Sequence, residues 1–112
     1  MGLRAYNPEI YDAYFTGIEG EVDFYVEEAM DCGGPVLELG CGTGRVLLPI
    51  ARNGIEITGL DINCDLLTLL RRKLGREERE VADRVHVLEA DMTAFHSEKR
   101  YKIVIAPYRA FQ

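Results

Sequence analysis

Cysteine is scarce in this chain: Cys32, Cys41 and Cys64 are widely spaced and form no CxxC pair. An odd, scattered set excludes a disulfide framework and offers no zinc-ligand spacing. The expectation is a reducing, cytoplasmic setting and no bound metal. Positive charge is also short, with 13 Lys and Arg against 19 Asp and Glu and a formal net charge of -6. Affinity for a phosphate backbone needs the opposite balance, so general nucleic-acid binding is not expected. No apolar run approaches the roughly 20 residues that cross a bilayer, and Met1 to Tyr6 holds no signal-type apolar stretch. No membrane partner is expected. Only two histidines occur, with no partner pattern: His86 reads as an exposed strand residue and His96 as a loop residue. Repeats and low-complexity segments are absent.

What remains is an ordinary globular composition, 47% hydrophobic and 29% charged over 112 residues. That is one domain with a core, yet short for a doubly wound α/β fold. Tyr6 to Phe15 is rich in aromatics around Pro8, a residue suited to a first helical turn. Val22, Tyr25, Val26 and Ala29 recur at helical spacing and predict an amphipathic helix over Glu21 to Met30, ended by Gly33 and Gly34. Pro35 to Leu39, Ile55 to Leu60, Val85 to Ala90 and Tyr101 to Ala106 read as four strands. Helices are expected between them over Arg45 to Arg52, with Pro49 near its start, and after Asn63 along the stripe Leu66, Leu67, Leu70 and Leu74, with Gly75 interrupting it. The basic cluster Arg71, Arg72, Lys73 and Arg76, followed by Glu77, Glu78 and Glu80, reads as a salt-bridged, solvated helix face. Alternating strands and helices predict parallel β-α-β units, with helices over both sheet faces and a ligand beyond the carboxyl ends of the strands.

Three residue sets fall at those strand ends. Glu38 lies inside the first strand, followed by the GxGxG turn Gly40, Cys41, Gly42, Thr43 and Gly44. Glycines admit positive φ and let a ligand approach the main chain, and the helix that follows presents free N–H groups to a carboxylate. Asp61 follows the second strand at about the 20-residue offset where a carboxylate meets a ribose diol. Asp91 and Met92 end the third strand, where a carboxylate can accept an adenine amino group and a thioether can pack on the ring. On the residues alone Asp61 and Asp91 also fit as cap or turn residues. A dinucleotide fingerprint would need its third glycine where Arg45 stands. Cys41 reads as a small loop residue offering its backbone rather than as a nucleophile.

Taken together, VLELGCGTGR (Val36 to Arg45), Asp61 with Ile62, and Asp91 with Met92 resemble the motifs of the class I S-adenosylmethionine-dependent methyltransferases. The resemblance runs from about Pro35 to Tyr108. It implies a Rossmann-like three-layer α/β/α fold with a partial parallel sheet in the strand order 3-2-1-4. Residues 35–112 would be the S-adenosylmethionine-binding portion and residues 1–34 an N-terminal helical cap. It further implies that Gly40, Cys41 and Gly42 line the methionine part of the cofactor, that Glu38 supports the loop, and that the segment Ala106, Pro107 and Tyr108 faces the sulfonium. Tyr11 would close over the cofactor, and S-adenosylhomocysteine would be the product. No catalytic base is assigned, and a small-molecule acceptor is expected. Members of the family continue past a fourth strand, so the portion is expected to be incomplete after Gln112. The fourth strand would then be an edge on which a second copy could pair. A cofactor-binding module without catalysis, or a nicotinamide-binding domain, is the alternative.

Overall fold

Two short segments, VLEL and ITGLD, carry apolar side chains toward both faces, as strands buried within a parallel sheet do. They form β1 (Val36–Leu39) and β2 (Ile57–Asp61). The computed structural model describes residues 20–93, 95 and 99–107. Over these residues the further elements are α1 (Glu21–Cys32), α2 (Leu47–Arg52), α3 (Cys64–Leu74), α4 (Arg79–Asp83), β3 (Val85–Glu89) and β4 (Ile103–Ile105). The four strands pair in parallel in the order β3-β2-β1-β4, the order the resemblance implies. Among the described residues β4 is therefore an edge, and its Val104 is exposed.

Side chains alternate along a strand, so the register places Val36, Ile57, Val85 and Ile103 on one face, joined by Val87 and Ile105. That face holds the core, where these residues pack with Ala29 of α1, Leu47, Ile50 and Ala51 of α2, Leu67 and Leu70 of α3, and Val81 of α4. Each fully buried leucine or isoleucine contributes roughly 1.5–3 kcal/mol. The expectation of helices over both faces is met by the described helices on this face only. Leu37, Thr58 and Leu60 are buried on the other.

Local signals explain where the helices stop and start. Gly33, at φ 84°, ends α1 and donates its N–H to the Ala29 carbonyl at 2.9 Å. Asn63 caps α3, its side chain accepting from the N–H groups of Asp65 and Leu66 at 3.0 and 3.1 Å. Pro49 falls in the first turn of α2, where a missing donor costs little. That helix begins at Leu47, two residues later than the expected Arg45, because Arg45 and Val46 form a turn ahead of it.

Two expectations need correction. The basic run and the glutamates after it do not share one helix face: α3 ends at Leu74, a turn follows, and Glu77 pairs with Arg52 of α2. The five-residue α4 was not foreseen, because only the half-buried Val81 and Ala82 mark its inner side.

Gly59 is a packing requirement that strand periodicity does not announce. A Cβ there would lie 2.5 Å from Leu47 Cδ1, 2.7 Å from Cys41 Sγ and 3.0 Å from Cys41 Cβ. Gly59→Ala is expected to lower stability by roughly 1–3 kcal/mol through overpacking. Thermal unfolding would register this as a melting-point fall of roughly 5–20 °C, and an unchanged melting point would remove the packing argument.

Candidate functional site

The chain turns sharply at the carboxyl end of β1, and the glycines permit it: Gly40, Gly42 and Gly44 all take positive φ, at 68°, 56° and 92°. The turn is tied to the neighbouring strand. The N–H groups of Gly40 and Cys41 both donate to the Leu60 carbonyl, at 2.7 and 3.1 Å, and Gly44 N–H donates back to the Cys41 carbonyl at 3.0 Å. Ala90 N–H donates to the Asp61 carbonyl at 3.0 Å, which brings Asp91 alongside the end of β2. Three strand ends are thus held side by side by main-chain bonds.

Asp61 connects these pieces. Its Oδ2 accepts the Gly42 N–H at 2.9 Å and its Oδ1 accepts the Asn63 N–H at 2.9 Å. One carboxylate therefore fixes the glycine turn from 19 residues away and sets the entry to α3. An ionised carboxylate offers about four lone-pair sites, so two of them serve these bonds and two can face a ligand. The turn role left open by the sequence is present. Ile62, beside it, is 66% exposed, a large apolar side chain presented at a strand end.

At the end of β3, Asp91 Oδ1 accepts both the N–H and the hydroxyl of Thr93, at 2.9 and 2.7 Å. These bonds hold the Asp91 carboxyl below its ordinary range. Both fall on one oxygen, so the local turn engages half of the group. Met92 is half-buried next to it. Ala106 sits exposed just past β4, ahead of the buried Pro107. Tyr11 lies outside the described residues.

Two members of the site face inward. Cys41 is buried, and burial, with Glu38 and Asp61 adding to it, pushes its thiol far above the ordinary range, which removes it as a nucleophile. Glu38 is 2% exposed, on the core face of β1. Its Oε1 has no hydrogen-bond partner among the described residues. Burial holds its carboxyl well above the ordinary range; Arg45 opposes that rise, while Asp61 and Glu21 reinforce it.

Sequence reasoning missed the Glu21–Arg45 ion pair, whose atoms approach to 2.8 Å and join the first turn of α1 to the end of the glycine turn. The partners are 24 residues apart, and no local signal links them. Gly59 could have been found, since a glycine inside a buried strand marks a close approach. Among the described residues no His, Cys, Asp and Glu cluster could hold a metal ion, and no helix is long and apolar enough to cross a membrane.

Residues 36–112 match the family model of a methyltransferase domain. Over 54 residues the chain is 30% identical to YqeM of Bacillus subtilis (strain 168), named as a methyltransferase, an overlap covering 48% of this chain and 22% of that one. Among solved structures, the glycopeptide N-methyltransferase MtfA complexed with S-adenosyl-L-methionine superposes with a TM-score of 0.71 at 32% identity, covering 78% of this chain and 38% of that one. The CcbJ methyltransferase from Streptomyces caelestis gives a TM-score of 0.68 at 31% identity, covering 79% and 35%. The chain spans between about a fifth and two fifths of the length of these relatives.

Proposed function

The chain belongs to the methyltransferase domain family, and on that premise we propose that it binds S-adenosylmethionine beyond the carboxyl ends of β1, β2 and β3 as part of an enzyme that methylates a small-molecule acceptor. The observation that carries this reading is Asp61, which bridges Gly42 and Asn63 and still has acceptor capacity for two ribose hydroxyls. Around it, Gly40, Cys41 and Gly42 offer main chain to the methionine part of the cofactor. Ile62 and Met92 offer apolar surface to the adenine ring, and Asp91 offers its second oxygen to the exocyclic amine. Ala106 faces the sulfonium in this arrangement.

When bound, the cofactor supplies a methyl group on a sulfonium whose departure leaves a neutral thioether. Such a displacement asks mainly for alignment of donor and acceptor, and the fixed turn at Gly40 to Gly44 serves that purpose. MtfA has been crystallised with the methyl donor, with S-adenosyl-L-homocysteine and with sinefungin, which supports the choice of ligand.

Calorimetric titration with S-adenosylhomocysteine tests the reading, with NAD as the competing ligand. The expected result is saturable binding at one site and no heat from NAD. Binding of NAD in place of the thioether would overturn it.

A further inference from the structure

The glycine turn is tethered along its length, and to two different elements. Its entrance is bound to β2, where the N–H groups of Gly40 and Cys41 meet the Leu60 carbonyl at 2.7 and 3.1 Å. Its middle is bound to β2 as well, through the Gly42 N–H and Asp61 Oδ2 at 2.9 Å. At its exit the tether runs to α1 instead, through the Arg45 guanidinium and Glu21 Oε1 at 2.8 Å. Local sequence offers that exit little support. Val46, which precedes α2, has no side-chain acceptor for the N–H groups of the helix, and Gly44, at φ 92°, leaves the chain conformationally free. The first turn of α1 is in the same position, because its cap is Gly20, at φ 87° and without a side chain.

Each of these two ends therefore gains from the other. Glu21 sits in the first turn of α1, where the helix dipole favours negative charge, and Arg45 brings a cation to it. The side chains of Arg45 and Glu21 are 19% and 12% exposed, so water and salt screen the pair weakly. Either partner left alone would be a charge with much of its solvation lost.

We propose that Glu21 and Arg45 are positioning residues for the cofactor: their ion pair braces the exit of the glycine turn against α1 and holds the turn in its binding shape before the ligand arrives. The proposal rests on the ligand assignment above and adds to it an element outside the strand ends. The pair acts through the turn, without contact to the ligand. A turn that samples other shapes binds with an affinity reduced by the fraction of time it is competent. The coupling is reciprocal, so a ligand whose binding depends on the pair must in turn strengthen the pair and the first turn of α1. That turn has a reporter in the Phe24 N–H, which donates to the Gly20 carbonyl at 3.0 Å. The Gly44 N–H, which donates to the Cys41 carbonyl at 3.0 Å, reports on the exit of the glycine turn.

The test is calorimetric titration of the chain with S-adenosylhomocysteine, well below the melting temperature of every variant, together with amide hydrogen exchange. Arg45→Met and Glu21→Gln are each expected to weaken binding roughly tenfold, the change produced when the competent turn falls to about a tenth of the population. The double variant should lose about the same factor, because both substitutions remove one interaction. Arg45→Lys, which restores a cation, should recover most of the loss. Glu27→Gln, which removes a negative charge from the exposed side of α1, should bind like the native chain. Residues that contributed only stability would shift the melting point and leave affinity unchanged in fully folded protein. In the native chain the ligand should slow exchange at Phe24, and Arg45→Met should diminish that protection.

Binding by both single variants within about twofold of the native chain, or losses that multiply to about 100-fold in the double variant, overturns the proposal. So does ligand binding that leaves exchange at Phe24 unchanged in the native protein, a reading that needs no variant to fold. Exchange in the unliganded chain separates this proposal from the ligand assignment. A native chain that binds no S-adenosylhomocysteine, with faster Gly44 exchange in Arg45→Met, leaves the brace standing and overturns the ligand assignment together with the cofactor role. Equal binding by native chain and variants, with Gly44 exchange unchanged, removes the brace alone.

Discussion

Asp61→Ala is expected to reduce affinity for S-adenosylhomocysteine by at least about 100-fold, the loss of roughly 3 kcal/mol or more when hydrogen bonds to a charged acceptor disappear. The effect has two origins, and both lie in one carboxylate. Removing it deletes the group proposed to accept the ribose diol, and it also leaves the N–H groups of Gly42 and Asn63 without their 2.9 Å acceptors. The Gly42 N–H is part-buried, so losing its acceptor also loosens the glycine turn. Asp61→Asn refines the result. It preserves size, but turns an amide NH₂ toward one of two N–H donors, so one bond survives and the other becomes a donor–donor conflict. Calorimetric affinity for Asn should fall below that of Asp, with a smaller loss of stability than for Ala. Binding by Asp61→Ala within a factor of three of the native chain would show that the carboxylate has no part in recognition.

Gly44→Ala is the second large effect, and here stability is the readout. A side chain at φ +92° adopts a left-handed backbone at a cost of about 1–2 kcal/mol. The new Cβ would stand 2.6 Å from Leu70 Cδ1 and 3.3 Å from Leu48 Cγ, in the layer where α2 and α3 meet. Leu70 is fully buried and cannot simply swing into solvent, so overpacking adds roughly 1–3 kcal/mol. The sum is a large part of the 5–15 kcal/mol that holds a typical domain folded. Gly54→Ala supplies the control, for Gly54 has nearly the same φ, +90°, with nothing within 4 Å of its Cβ position. The difference between the two variants in denaturant unfolding isolates the packing contribution. Equal destabilisation by both would mean that the Leu70 contact yields without cost.

These expectations separate what short-range pattern can reveal from what it cannot. Pro35 to Leu39 and Ile55 to Leu60 were legible as strands, observed as Val36–Leu39 and Ile57–Asp61, because apolar runs bounded by glycine or turn residues have few other places to go. The α3 stripe was legible because Leu66, Leu67, Leu70 and Leu74 repeat at the helical period. The cap at Asn63 could be read for the same local reason. Gly40, Gly42 and Gly44 could be read as a turn with positive φ, since their density excludes an ordinary strand or helix. β4 proved shorter than the apolar run that announced it, Ile103–Ile105 rather than Tyr101 to Ala106, because pairing on β1 extends only over Val36 to Glu38.

The sequence by itself determined the parallel α/β character, the glycine turn after β1 and the acidic residues at the ends of β2 and β3, because each is written in periodicity or residue type within a few positions. Tertiary structure alone decided that Asp61 reaches back to Gly42, that Arg45 is claimed by Glu21, that Glu77 turns to Arg52 rather than to its helical neighbours, and that Glu38 lies sealed from solvent. Those pairings join residues 19 to 25 positions apart or depend on burial. They are fixed by how helices and strands pack into one core, a cooperative outcome to which local propensity contributes no term.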